Sequence, residues 1–353
     1  MRQQPELSYE VLTYEEVKKS ADFIQSCQVG NGLILWHESG HGDPWNHVEA
    51  AMALTVSDRR ASAEKAYDWL ITSQDPEGFW YNYYFKDKVK DYRIDTNVCA
   101  YVAVGAYHFY EKYKDLGFLQ SIFPCVEKAI EFVLKFQQDK GEIIWCLEPD
   151  GTLGKYALLT GSCSILLSLR CALNIANLLE FERPEWEMAA YRLSYAIAGA
   201  AKFEPKDEYA MDWYYPVLSG ALNKQQSMIR IKKGWDIYTL GDLGVKCVSD
   251  RPWVTTAETA ECVLALDALG EKQKARQLLE TTYNLRNPDG SYFTGMVYPQ
   301  QDTFPFQEVT SYSAAAVILA NQALISDENF AGIWRGQNLL EVCSYKESIS
   351  NFL

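Results

Sequence analysis

Three carboxylates in this sequence stand where acid–base chemistry could use them. Asp95 lies in Arg93-Ile94-Asp95-Thr96-Asn97, after a loop that carries Tyr81, Tyr83 and Tyr84. Glu258 follows Arg251-Pro252-Trp253-Val254-Thr255-Thr256-Ala257, and Asp212 opens Asp212-Trp213-Tyr214-Tyr215-Pro216. Each heads an apolar stretch, where a carboxylate is costly to bury unless it is partnered or has a task. Two carboxyl groups on opposite sides of a bond can act together. One protonates the leaving oxygen, and the other activates water or attacks. Asp95, Glu258 and Asp212 are therefore the catalytic candidates, with helix capping as the structural alternative for each.

The segment from His41 to Glu49, His41-Gly42-Asp43-Pro44-Trp45-Asn46-His47-Val48-Glu49, holds the densest side-chain chemistry. A metal set of His37, His41, His47 and Glu49 is conceivable. However, Gly40, Gly42 and Pro44 break the helix on which paired His ligands usually sit, so no metal or cofactor is expected. Asp43, Trp45, His47 and Glu49 are expected to orient a substrate, a hydrogen-bonded turn being the alternative. Tyr84, Asn97, Trp213, Tyr214 and Trp253 are further expected contacts. Glu308, after Phe304-Pro305-Phe306, is either another contact or a charge placed at a helix N-terminus. Thr160, Gly161 and Ser162 offer small polar groups and close backbone approach, suited to a pocket floor. No G-x-S-x-G tract supports nucleophilic serine chemistry, and no nucleotide-binding loop is present.

These residues need elements to hold them. Polar or acidic turns start at 43, 95, 160, 212, 255 and 308, and each opens a helix rich in small apolar residues. VEAAMAL, VCAYVAVGAYHF and SAAAVILANQAL are apolar nearly all round, as in helices buried on both sides. Between them run amphipathic segments such as ASAEKAYDWLITSQ and EKQKARQLLETTYNL, read as outer helices. A period of this length marks stacked or closed supersecondary units. The pattern predicts an all-α fold, an (α/α)6 barrel spanning residues 1–353 as one domain, with an extra N-terminal helix around 12–27. Gly-aromatic stretches such as PEGFWYNYYF and PDGSYFTGMVY are read as short β-hairpins or extended loops. All inner helices would then begin at one end and gather their acidic and aromatic residues around one basin.

Composition bounds the partners. With 33 Lys plus Arg against 47 Asp plus Glu, the net charge is −14, which disfavours nucleic acid and anionic membrane surfaces. Tyr (23) and Trp (10) outnumber Phe (15), and rings with polar handles suit a wet, aromatic-lined cleft. The cysteines at 27, 99, 125, 146, 163, 171, 247, 262 and 343 form no C-x-x-C pair and are read as reduced thiols of a cytoplasmic protein. The first twenty residues lack an apolar signal region, and no window reaches 18 uninterrupted apolar residues, so no membrane span is expected.

Gln74-Asp75-Pro76-Glu77-Gly78-Phe79-Trp80, the stretch from Gln137 through Gly141 to Trp145, and more loosely Gln28 to Trp36 resemble the Gln…Gly…Trp repeats of the squalene cyclase and prenyltransferase toroid superfamily. The chain is also similar to bacterial prenyltransferase-like and squalene-cyclase-like proteins and, in layout, to six-hairpin glycosidases. The resemblance implies the toroid. The Asp-x-Asp-Asp of the cyclases is reduced here to Asp95 and Asn97. A zinc site with a late His is not matched, since the four His lie at 37, 41, 47 and 108. Three readings follow. The leading one is a carbohydrate-active enzyme, a glycoside hydrolase using Asp and Glu in an aromatic-lined cleft. The second is a terpenoid cyclase or prenyltransferase-like enzyme, and the third a non-catalytic binding toroid. The expected ligand is accordingly a small molecule, a glycan or an isoprenoid.

Overall fold

Side-chain capping accounts for three of the six inner-helix starts. In the computed structural model, which describes residues 10–326, 328–337 and 339, the helices follow in chain order. They are α1 (Tyr14–Ser26), α2 (Pro44–Val56), α3 (Arg60–Ser73), α4 (Thr96–Ala100), α5 (Val102–Tyr113), α6 (Leu116–Leu134), α7 (Leu159–Leu178), α8 (Pro184–Tyr195), α9 (Ala210–Leu218), α10 (Lys224–Tyr238), α11 (Thr256–Ala268), α12 (Lys272–Glu280) and α13 (Ser311–Ile325). Asp43 accepts from Asn46 N, Asp95 from Asn97 N and Val98 N, and Thr310 from Ser313 N, each satisfying an N–H that a helix start leaves open. The cap of α13 is thus Thr310, not Glu308, which lies outside the helix. α7, α9 and α11 begin without a side-chain cap.

The inner helices close a ring. α2 packs on the α4–α5 pair, α5 on α7, α7 on α9, α9 on α11, α11 on α13, and α13 returns to α2. Every residue of α2 except Asn46 is buried, which its Ala-rich sequence permits. The outer helices bury a single stripe instead. In α12 only Ala275, Leu278 and Leu279 are buried, the i, i+3, i+4 pattern of a helix with one dry face. α7 is long and apolar enough to cross a membrane, but 83% of its apolar window is buried among its neighbours. The (α/α)6 architecture is therefore as the helical periodicity indicates. The helix expected near the N-terminus is α1, which packs on α13 and α2 and takes the place of the sixth outer helix.

The Gln…Gly…Trp loops fasten one hairpin to the next. Gln28 Nε2 donates to Gly32 O and to Ser62 O, Gln74 Nε2 to Gly78 O and Cys125 O, and Gln137 Nε2 to Gly141 O and Ala189 O. The glycines at these loops have positive φ (Gly78 +104°), and a Cβ on Gly78 would lie 2.3 Å from Lys128 O. Only glycine permits both that conformation and that approach. Each clasp is worth two hydrogen bonds, about 1 kcal/mol apiece. The motif thus encodes how the toroid is joined and carries no chemistry.

Short strands dress the end at which the inner helices begin. β1 (Tyr83–Phe85) and β2 (Lys88–Asp91) form a hairpin, and β3 (Ile94–Asp95) pairs with β4 (Cys146–Leu147), placing Asp95 opposite Cys146. β5 (Trp253–Thr255), β6 (Gly295–Val297) and β7 (Asp302–Thr303) make a three-stranded sheet before α11. The eight described cysteines are unpaired and all but Cys247 are buried, while Cys343 lies outside the described residues.

Candidate active site

The starts of α4, α7 and α9 surround a cavity of about 350 Å³. Asp95 and Asp212 both line it, with Asn97, Trp145, Gly161, Ser162, Lys206 and Tyr209. Asp95 Oδ1 is tied to Asn97 N (2.8 Å) and Val98 N (3.3 Å), while Oδ2 accepts no hydrogen bond from the described residues. Burial raises the Asp95 carboxyl from 3.8 to about 6, and the neighbouring charge of Asp43 adds to the rise. A carboxyl held near neutrality with one oxygen free is suited to donate a proton. Asp212 Oδ1 accepts from Thr160 N (3.1 Å) and Thr160 Oγ1 (2.6 Å). Burial also raises Asp212, though the Thr160 hydrogen bonds oppose it. Two polar atoms in the cavity wall, Asn97 Oδ1 and Ser162 Oγ, are buried without a partner. Such atoms are costly unless a ligand or water supplies the missing bond. Trp145 stacks on Tyr156 at 5.7 Å and presents an aromatic wall.

A second group gathers around Asp43. Its Oδ2 accepts from Trp36 Nε1 and from Asn46 Nδ2, both at 2.7 Å. The His41 ring lies 4.2 Å from Trp36 and 4.4 Å from Tyr83, centroid to centroid, and Trp36 meets Tyr312 at 5.1 Å. Burial holds the His41 imidazole below its ordinary range against the pull of Asp43, so the ring is neutral near pH 7. Glu258 is half-buried in the first turn of α11, and burial pushes the Cys247 thiol upward, with the Glu258 charge adding to the rise. Burial pushes the Tyr312 hydroxyl upward, and the Glu258 charge pushes it further. By ring position α11 stands across from α4, so Glu258 and Asp95 head opposite inner helices.

Below the mouth, Glu49 of α2 and Glu261 of α11 are each 4% exposed and share a cavity of about 10 Å³ with Tyr101 and Tyr215. That is room for about one water. Glu261 accepts from the hydroxyls of Tyr214 and Tyr215, whereas Glu49 has a single long contact from Tyr101 at 3.4 Å. Burial first, and then mutual repulsion, raises Glu49 well above the usual carboxylate range. Burial raises Glu261 to about 8. With no cation lining the cavity, Glu49 holds its proton more firmly, because it has fewer donors to satisfy a charge.

Several expected contacts lie elsewhere. His47 is 1% exposed, its Nδ1 accepts from Ile34 N and its Nε2 meets Ala66 O, so it neither ligates a metal nor reaches the mouth. Burial takes its imidazole down to about 4. Trp45 is buried against Tyr101 and donates to Ser164 Oγ, and the Tyr84 hydroxyl accepts from Tyr81 N. Trp213 donates to Arg230 O and stacks on Tyr238, and Tyr214 is committed to Glu261. Glu49 belongs to the floor. Trp253 and Glu308 are half-buried at the rim, bonded to Phe304 O and Thr294 Oγ1. Sequence reasoning missed Glu261, Trp36 and Trp145. Glu261 had a visible signal: it lies three residues after Glu258, on the same face of an apolar helix. Among the described residues no cluster of three or more His, Cys, Asp or Glu could hold a metal ion.

Comparison with known proteins agrees with this layout. No family model matches the chain. It is 44% identical over 330 residues to the MMP endo-(1,4)-3-O-methyl-alpha-D-mannosidase of Mycolicibacterium hassiacum, an alignment covering 93% of this chain and 91% of that protein. Among solved structures, it resembles the GH63 mannosylglycerate hydrolase of Thermus thermophilus in complex with Tris and D-glycerate, with TM-score 0.68, 12% identity, and 86% of this chain and 99% of that one covered. A glycosidase in complex with glucose gives TM-score 0.68 and 13% identity over 89% and 97% of the two chains. A sugar epimerase from a ruminal bacterium gives 0.66 and 10% over 88% and 99%. At such identities these structures share the fold alone, and they bear out the toroid. The sequence relative adds the chemistry: this chain is a glycoside hydrolase and belongs to the family of the MMP endo-(1,4)-3-O-methyl-alpha-D-mannosidase.

Proposed function

We propose that the chain cleaves internal α-(1,4) bonds in a chain of 3-O-methylated mannose units, with Asp95 as proton donor and Glu258 as the carboxylate on the opposite side. The observation that carries this reading is the Asp95 carboxyl. It lines the cavity, one oxygen is anchored to a helix start, the other is unpartnered, and its proton is held to about pH 6. The Asp95 proton passes to the glycosidic oxygen as the bond to the anomeric carbon breaks. Water adds to that carbon and gives up one proton to Glu258, and passage of that proton back to Asp95 through solvent restores the starting carboxyl states. Adjacent helix axes pack ~8–10 Å apart, so opposite members of a six-membered ring lie roughly 16–20 Å apart. Side chains reaching inward from both sides leave a gap of the order of the ~5–9.5 Å carboxyl spacing used in glycoside hydrolysis.

The cavity wall supports a methylated sugar. Ile143, Leu158, Ile165 and Met211 provide apolar surface, and Asp212, Lys206 and Asn97 provide points for hydroxyls. A methyl ether removes a donor and adds apolar volume, which such a wall accommodates. The net charge of −14 favours a neutral chain over an anionic one. The test is turnover of a defined α-(1,4)-linked 3-O-methylmannose oligomer, with products sized by mass spectrometry. Asp95→Asn and Glu258→Gln should each slow cleavage by roughly 10²–10⁴-fold while leaving substrate affinity measurable. Full activity in either variant, or loss confined to Asp43→Asn, would reject the assignment.

A further inference from the structure

Within that reading the cavity also contains features that would select between sugars. Asn97 and the pair Gly161-Ser162 face the same cavity from neighbouring inner helices. Ser162 is 1% exposed, and its Oγ has no hydrogen-bond partner, nor has Asn97 Oδ1. Ser162 sits in the first turn of α7, where its backbone N donates to Leu158 O and the hydroxyl is left over. Both atoms can accept from a hydroxyl, and Ser162 can also donate.

Gly161 lies between them and behaves unlike the glycines of the loop clasps. A Cβ built on it meets nothing nearer than Asn97 Cβ at 3.6 Å and Leu158 Cβ at 3.8 Å, both ordinary contacts. Its φ is not in the left-handed region, and it sits inside a helix, where Ala is favoured over Gly by about 1 kcal/mol. Neither backbone conformation nor close packing requires glycine here. What glycine leaves is one methyl group's worth of empty cavity beside two orphan polar atoms.

We infer that Asn97, Gly161 and Ser162 form the specificity-determining face of the cavity: the two unpartnered oxygens take a free sugar hydroxyl, and the space above Gly161 takes the methyl group of an adjacent methyl ether. This inference rests on the proposed substrate class. It is tested by binding, so it does not depend on which carboxylate is catalytic. The probes are methyl α-D-mannoside and methyl 3-O-methyl-α-D-mannoside, titrated calorimetrically into the wild-type chain and into Gly161→Ala and Ser162→Ala.

The wild type should prefer the 3-O-methyl sugar. Gly161→Ala should weaken that sugar by roughly 10–100-fold, the usual effect of a methylene-sized change in a pocket, and leave the unmethylated sugar nearly unchanged. Ser162→Ala should weaken both, since both bring the hydroxyl it would bind. Equal losses for the two sugars in Gly161→Ala, with its melting temperature unchanged, would overturn the role of Gly161. An unaltered affinity in Ser162→Ala would overturn the role of the hydroxyl. If the wild type binds neither sugar yet hydrolyses another glycan, the substrate class is wrong and the inference falls with it.

Discussion

Replacing Asp95 by Asn should make the protein more stable while making it inactive. The folded Asp95 carboxyl holds its proton to about pH 6, against an ordinary value of 3.8. The difference is about 2.2 pH units, and at ~1.4 kcal/mol per unit full ionisation costs the fold about 3 kcal/mol. Solvent reaches the half-buried carboxyl through the cavity, and screening reduces the effect to about 1.5 kcal/mol. The sign follows from proton linkage. A carboxyl with a raised folded value contributes stability below 3.8, and that contribution is lost as the pH rises through 6. Asn does not titrate, and it caps a helix as well as Asp does. The stability gap between Asp95→Asn and wild type should therefore open as the pH rises from 3.8 to about 6 and level off at about 1.5 kcal/mol by pH 8. Urea unfolding at pH 4, 6 and 8 measures it, and turnover should fall by roughly 10²–10⁴-fold in the same variant. Parallel stability curves from pH 4 to 8 would refute the raised carboxyl, and retained turnover would refute its role as proton donor.

The buried pair makes a second pH prediction. Glu261 is raised from 4.5 to about 8, so its contribution to stability should decline between those values, and Glu261→Gln should show a flatter melting temperature from pH 5 to 9. An equally steep decline in the variant would show that another group is responsible. Gln74→Ala removes two hydrogen bonds and leaves Gly78 O without its partner, while Cys125 O keeps its place in the α6 ladder, so it should cost about 2 kcal/mol in denaturant unfolding with kcat unchanged. A fall in kcat without loss of stability would mean that the loop acts on the site and not on the scaffold. Trp145→Ala removes the aromatic wall of the cavity and should raise KM by roughly 10-fold or more, an effect expected of a lost ring contact with a sugar.

The barrel was legible because its signal is repeated. Helical periodicity, small-residue inner helices and polar turns recur six times, and an error at one turn leaves the ring intact. Asp95 and Asp212 were legible for a similar reason, as carboxylates at inner-helix starts. The aromatic contacts were read less well. Trp45 follows Asp43 in sequence, and Trp213 and Tyr214 follow Asp212, but consecutive residues on a helix point about 100° apart, so a neighbour of a mouth residue faces the core. Trp145 comes from a loop two hairpin elements away from Asp212 and reaches the cavity only through tertiary packing. The Glu49–Glu261 pair joins positions more than two hundred residues apart, and no local pattern connects them.

The seam of the ring repeats its internal joints with different side chains. Ser20 Oγ on α1 donates to Gly290 O, and a Cβ on Gly290 would fall 2.5 Å from the α1 backbone, the same close fit that the other loop glycines make. From the far side Asn321 Oδ1 accepts Val11 N and Leu12 N. α1 is therefore a latch that bridges the first and last hairpins. Nicking the segment between α1 and α2 should leave the severed piece seated and the enzyme whole, while stripping that piece away would let the basin gape at α13 and spoil its shape from the side opposite α7.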